Sequence, residues 1–339
     1  MKLTKFQKFT IIIILAIITA LIITKFSELM EIIHILKKTN WVFIVIALML
    51  QSLTYLALAG IYSHLLKIFD HRVSFKKLCK LVVTSTLLNQ IFPSAGLVSI
   101  PFMTSSLKKD KIDKGKTALT VAVGTMLIGT IFLTCLAISV TYLLVAVDLS
   151  GQQKNVLSIL LILTVCAGGF LYYLSKNHSL LGKIIALVSK ALTKLYKFFK
   201  IKKSLDTAKI SLFVEEFYLG VDAIKKNKTK LLVPLLLAAV FFLSDILTLY
   251  CIFLSFGLKV KLGFIVVSFV LTDVVGFIVA VPTGLGVFEV SMATIFSTLG
   301  IPLASAVLAT LIFRGMSFWL HMPLGLYFYQ RLAKEKKPE

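Results

Sequence analysis

Val281-Pro282-Thr283-Gly284-Leu285-Gly286-Val287-Phe288-Glu289 interrupts a stretch that is otherwise apolar from Leu262 to Gly300. Proline removes a backbone donor and fixes φ, and glycine admits conformations closed to other residues, so a regular helix cannot pass through this string undisturbed. A second break of the same kind lies in the first half of the chain. There Pro93-Ser94-Ala95-Gly96 divides the apolar run Leu81 to Leu107. Lys76, Lys77 and Lys80 precede that run, and Lys108, Lys109 and Lys111 follow it. Apolar segments broken by Pro and Gly, at corresponding places in two halves, are the pattern of an inverted repeat whose site lies near a bilayer midplane.

The remainder of the chain fits a membrane. Hydrophobic residues make up 58% of its 339 residues and the mean hydropathy is +0.95, far from a soluble globular composition. Apolar runs recur along the full length, and roughly 20 helical residues cross a hydrocarbon core of about 30 Å. The net charge of +22 would suggest nucleic acid, but the cations sit in the gaps between apolar runs and alternate between heavy and light gaps. That is the positive-inside pattern, and it argues against a nucleic-acid partner. Cys79, Cys135, Cys166 and Cys251 have neither metal nor disulfide spacing and read as small apolar residues.

Charge counting predicts the path. Spans are expected at Phe9–Thr24, Trp41–Leu66, Thr117–Val147, Val156–Ser175, Leu231–Phe256 and Leu303–Tyr329, with Trp41 as an interfacial anchor. The N-terminal run lacks an A-x-A site and is expected to be an uncleaved first helix. The broken run Leu81–Leu107 begins and ends among lysines on one side, and its arm Leu81–Phe92 would span only about 18 Å as a helix. It is expected to dip in and return. The second broken run is expected to do the same from the opposite side, although its arm Leu262–Val281 also has the length to cross. On this layout 30 Lys and Arg lie inside, 6 outside, and Arg314 within a span. The expectation is an all-α polytopic membrane protein with about six transmembrane helices and two re-entrant hairpins. It forms a single domain over 1–339, with repeat halves 1–147 and 156–339, and both termini are cytoplasmic. Within a basic cytoplasmic region, 176–230, Leu180 to Lys200 is amphipathic. It reads as an interfacial helix or as a solvated charged face.

No HExxH, P-loop, GxSxG or metal-spaced carboxylate cluster is present, so no catalytic residue, metal or cofactor is assigned. His321 reads as a core histidine bonded to nearby backbone, and Gln51 and His64 as candidate cavity residues. The breaks offer other chemistry. A helix starting at mid-membrane exposes backbone N–H groups and the positive end of its dipole, which suits an anion such as phosphate. Ser94, Gly96, Thr283, Gly284 and Gly286 would open such half-helices after Pro93 and Pro282. Ionisable groups inside apolar helices are functional candidates by default. Glu289 and Arg314 are expected to pair, either as a structural ion pair or as a phosphate-binding device. Asp273, Asp245 and Asn89 complete the candidate set.

Asn89-x3-Pro93-Ser94-Ala95-Gly96, the string Val281 to Glu289, Gly300 and Arg314 together resemble the flippase-like transmembrane region of lysylphosphatidylglycerol synthases, also found as stand-alone membrane proteins. The resemblance extends over nearly the whole chain in hydrophobic order. It implies lipid translocation without a lysyl-transferring domain, and it carries over to Asn89, Pro93, Gly96, Pro282, Gly284, Gly286, Glu289 and Arg314. The expected function is a flippase of the cytoplasmic membrane for an anionic phospholipid or a polyprenyl-linked glycan. Homo-oligomers or envelope-synthesis enzymes are the expected protein partners. The alternatives are an integral-membrane transferase or an accessory subunit in envelope lipid synthesis.

Overall fold

The structure is a computed structural model and describes residues 26–91, 98–147, 150–176, 219–221, 223–224, 226–279, 281 and 284–334. Among these residues every regular element is helical. The elements are α1 (Phe26–Lys37), α2 (Trp41–Ile68), α3 (Phe75–Ile91), α4 (Ser99–Leu107), α5 (Lys114–Ala146), α6 (Gly151–Lys176), α7 (Leu232–Ser255), α8 (Leu262–Val279), α9 (Val287–Thr298), α10 (Leu303–Arg314) and α11 (His321–Lys334). A π-helical turn, Gly315–Trp319, joins α10 to α11. The protein is an all-α polytopic membrane protein, and among the described residues six helical segments are long and apolar enough to cross a bilayer.

Five of those segments match expected spans: α2, α5, α6, α7 and the α10–α11 unit. The expected span Phe9–Thr24 lies outside the described residues, as does the amphipathic stretch Leu180–Lys200. The sixth segment is α8, the arm expected to belong to a hairpin. Its 18 residues rise about 27 Å, enough to cross by length. In the first broken run the two pieces are unequal. The first is nearly as long as α8 and longer than the arm of about 18 Å expected from the sequence, because the helix begins at Phe75. Helix α3 has 17 residues and α4 has 9, or about 26 Å and about 14 Å. Helix α3 starts earlier than the hydropathy suggested, so Lys76, Lys77 and Lys80 stand on it rather than in the loop before it. Its residues up to Lys80 are helical because the Ser74 carbonyl accepts from the N–H groups of Lys77 and Leu78. Lys77 Nζ then reaches Asp110 Oδ2 at 2.7 Å, which draws the two ends of the broken run together.

Antiparallel packing of α2 on α7 joins the first half of the chain to the second. At one end the N–H of Asn40 donates to the carbonyl of Ser255 at 2.8 Å. Farther along, Thr248 Oγ1 meets the Ala47 carbonyl, Gln51 and Thr54 meet Asp245, and Gly60 faces Leu237. The Asn40 side chain starts α2 by accepting from the N–H of Val42, and Trp41 next to it stays exposed, where an interfacial anchor belongs. Two apolar cores flank this pair. Leu65, Leu81, Met103 and Leu119 of α2 to α5 fill one, and Phe253, Phe269, Phe296 and Phe313 of α7 to α10 fill the other. Outward-facing Val156, Ile159, Ile162 and Leu163 leave α6 an apolar surface suited to lipid.

Close approach of α5 to α2 depends on Gly124. A Cβ there would come within 2.7 Å of the buried Tyr62 ring. Gly124→Ala is therefore expected to force the helices apart and to cost about 1–3 kcal/mol, read as a lowered midpoint of thermal unfolding in detergent.

Candidate functional site

The second break builds a site around one glycine. Gly286 has φ +81° and ψ −48°, a conformation that only glycine adopts without strain. It sets the start of α9, whose first full turn follows when the Val290 N–H bonds the Gly286 carbonyl at 2.9 Å. Glu289, the third residue of α9, turns back on this start. Its Oε2 accepts from the Gly286 N–H at 2.7 Å, one half of a capping box, glycine having no side chain for the other half. The sequence predicts a half-helix end open to an anion; in the structure its own carboxylate, Glu289, occupies it.

The other oxygen of the same carboxylate holds Arg314. Glu289 Oε1 accepts from Arg314 Nε at 2.8 Å, with the side chains 18% and 8% exposed respectively. The guanidinium carbon also lies 4.8 Å from the ring centroids of both Phe288 and Phe318. A planar cation between two aromatic faces is oriented as well as neutralised. Phe288 in turn stacks on Phe313 at 6.2 Å. One carboxylate therefore fixes a helix start and a buried cation at once. Adding a competing anion would divide the two tasks.

Around this pair lie further polar groups of the bundle. Asp273, half-buried on α8, is within electrostatic reach of Asp245 and Arg314. Tyr55 on α2 is within reach of the same two residues. The Tyr55 hydroxyl donates to the carbonyl of Ser317 in the π-helical turn at 2.9 Å, and its ring stacks on His321 at 4.0 Å. Asp245 itself sits between α7 and α2, hydrogen-bonded to Gln51 and Thr54.

The structure thus brings Gly286, Glu289, Arg314, Asp273 and Asp245 into one region. Gly284, with φ +61°, turns the chain just before it. Asn89 ends up on α3 with its Oδ1 buried and without a partner. Helix α4 opens at Ser99, after the expected tip. Pro93, Ser94, Gly96, Pro282 and Thr283 lie outside the described residues. His321 Nδ1 pairs with the Met316 carbonyl, the backbone-bonded histidine anticipated. His64 likewise bonds the Gly60 carbonyl of its own helix at 2.9 Å and is no part of the region. Sequence reasoning missed Tyr55, Thr54 and Phe318 as participants. Phe318 could have been found, since it stands one helical turn beyond Arg314.

Comparisons with known proteins place the chain among membrane proteins. The family model described as the lysylphosphatidylglycerol synthase TM region matches residues 11–325. A UPF0104 membrane protein of Methanocaldococcus jannaschii is 28% identical over 95% of this chain and 94% of its own. Another, from Pyrococcus horikoshii, is 24% identical over 93% of this chain and 94% of its own. A third, from Methanothermobacter thermautotrophicus, is 34% identical over 34% of this chain and 35% of its own. The chain belongs to the lysylphosphatidylglycerol synthase transmembrane-region family.

Proposed function

We propose that this protein moves an anionic phospholipid or a lipid-linked sugar across the cytoplasmic membrane. The headgroup passes through the region between the two broken runs while its tails remain in the bilayer. The observation that carries this is the Glu289–Arg314 pair: a buried guanidinium held by a carboxylate that has a second partner of its own. A lipid phosphate can take the place of the Glu289 Oε1 on Arg314, and its several oxygens suit the guanidinium fork. Glu289 then remains as cap of α9, so the exchange does not leave it without a donor.

Two features support the inverted-repeat layout. The Lys77–Asp110 ion pair joins the ends of the first broken run, as a segment entering and leaving on one side requires. Helices α2 and α7, from opposite halves, run antiparallel, as spans of reversed direction would.

Purified full-length protein in vesicles, with headgroup-labelled phosphatidylglycerol and a membrane-impermeant quencher, tests the proposal. Wild type is expected to bring inner-leaflet label to the quencher faster than protein-free vesicles do. Arg314→Lys keeps the charge but loses the fork, and the rate is expected to fall about tenfold. A rate equal to that of wild type would remove Arg314 from the mechanism, and no acceleration with either a phospholipid or a lipid-linked sugar would remove the function.

A further inference from the structure

Helices α2 and α7 enclose a second polar centre with a different chemistry. Asp245 is 8% exposed, Gln51 2% and Thr54 4%. Gln51 Nε2 donates to Asp245 Oδ1 at 3.1 Å, and Thr54 Oγ1 donates to the same oxygen at 3.0 Å. The acceptors outnumber these donors. Among the described residues Asp245 forms no ion pair, and its Oδ2 receives no hydrogen bond. The Oε1 of Gln51 is buried without a partner, on the same amide that bonds Asp245. A carboxylate without a counter-ion and an unsatisfied amide oxygen in an apolar interior are costly. A small cation among those oxygens would offset both costs, and a proton on the carboxyl would offset the first.

We propose that Asp245, Gln51 and Thr54 form an exchangeable monocation site, taking a proton or Na⁺, distinct from the headgroup site at Glu289 and Arg314. One carboxylate with neutral oxygen donors suits a single positive charge; hard divalent cations gather more carboxylates. Ionisable groups stand on several of the surrounding elements: His321 on α11 stacks on Tyr55, Glu289 on α9 pairs with Arg314, and α2 also carries Tyr62 and His64. Tyr55 on α2, Asp273 on α8 and Arg314 on α10 lie in this region. Along its apolar length α5 contributes Cys135 and Tyr142, and α7 itself carries Tyr250 and Cys251.

The site also has a physical route to the headgroup pair. Thr54 bonds Asp245, while its neighbour Tyr55 bonds the carbonyl of Ser317 and stacks on His321. Ser317 belongs to the π-helical turn that begins directly after Arg314. A shift of α2 when the cation leaves is therefore passed to the turn that directly follows Arg314. The cation site stands whether or not lipid is the cargo, and it supplies an energy source if lipid is.

Ion binding is measured on the full chain in detergent without added lipid, so its outcome is independent of translocation. Two probes are used: infrared difference spectra between roughly pH 5 and 9 for a carboxyl proton, and radioactive Na⁺ for the metal. Either a protonated-carboxyl band or stoichiometric Na⁺ binding is expected in wild type, lost in Asp245→Asn. The first result identifies a proton, the second Na⁺. Thr54→Val removes a donor that favours the charged carboxylate, so proton affinity should rise about tenfold. Gln51→Leu removes an oxygen ligand and should weaken Na⁺ about tenfold. These two variants keep Asp245 and serve if Asp245→Asn does not fold. Absence of both signals from wild type overturns the proposal. So do signals that persist unchanged in Asp245→Asn, or in Thr54→Val and Gln51→Leu together.

Discussion

Arg314→Ala is expected to destabilise the protein by about 3 kcal/mol and to abolish translocation in vesicles. Removing one member of a buried pair leaves the other charged and uncompensated, at a cost of about 3–5 kcal/mol. The lower end applies because the Glu289 side chain keeps 18% exposure and a second hydrogen bond to Gly286. The truncation also empties the space between Phe288 and Phe318, where the guanidinium now lies. A double variant separates folding from function. Arg314→Met with Glu289→Gln removes both charges, refills the aromatic slot with a flexible apolar chain, and retains an amide oxygen to cap α9. Its unfolding midpoint in detergent should return to within about 1 kcal/mol of wild type, while its translocation rate stays at the protein-free level. Recovery of both would make the pair purely structural. That was the alternative left open by the sequence, and only this combination of measurements decides it.

How much of this was legible beforehand follows from what each feature depends on. Membrane spans were readable because hydrocarbon demands long apolar runs, a property written locally in the chain. Glu289 and Arg314 stood out for the same reason in reverse, as charges in apolar surroundings. The fate of the second arm was ambiguous, since length alone lets α8 either cross or return. Lysines misled at the start of α3: a cation-rich stretch suggests a loop, yet Lys76 and Lys77 take up the first turn of a helix. Asp245 and Gln51 stood out singly as polar groups within spans, but their pairing could not be found locally. The partners of Asp245 are separated from it by 194 and 191 residues, and nothing short of the α2–α7 packing register brings them together. The aromatic slot around Arg314 is intermediate, one ring coming from the next turn and the other from the first turn of the preceding helix, α9.

Gly286→Ala is expected to cost about 2 kcal/mol and to reduce translocation further than its loss of folded protein explains. No heavy atom outside its neighbours lies within 4 Å of where the new Cβ would stand, so the cost is not steric crowding by another helix. It comes from the backbone. At φ +81° and ψ −48° an L-residue is strained by about 1–3 kcal/mol, and relaxing that strain turns the N–H away from Glu289 Oε2. Glu289 then loses its cap contact, and the carboxylate is left to Arg314 alone, a partner it should release more slowly to a phosphate. Gly300 provides the control. It has φ +87° and equally open surroundings, but it ends α9 instead of starting it and has no contact with the pair. Gly300→Ala should therefore lower the unfolding midpoint by a similar amount while the rate per folded molecule stays at the wild-type value. If both alanines reduce that normalised rate equally, strain in α9 as a whole is responsible, and the special role of the Gly286 N–H is lost. If only Gly286→Ala reduces it, the link from the glycine turn through Glu289 to Arg314 is the part of the fold that sets the rate.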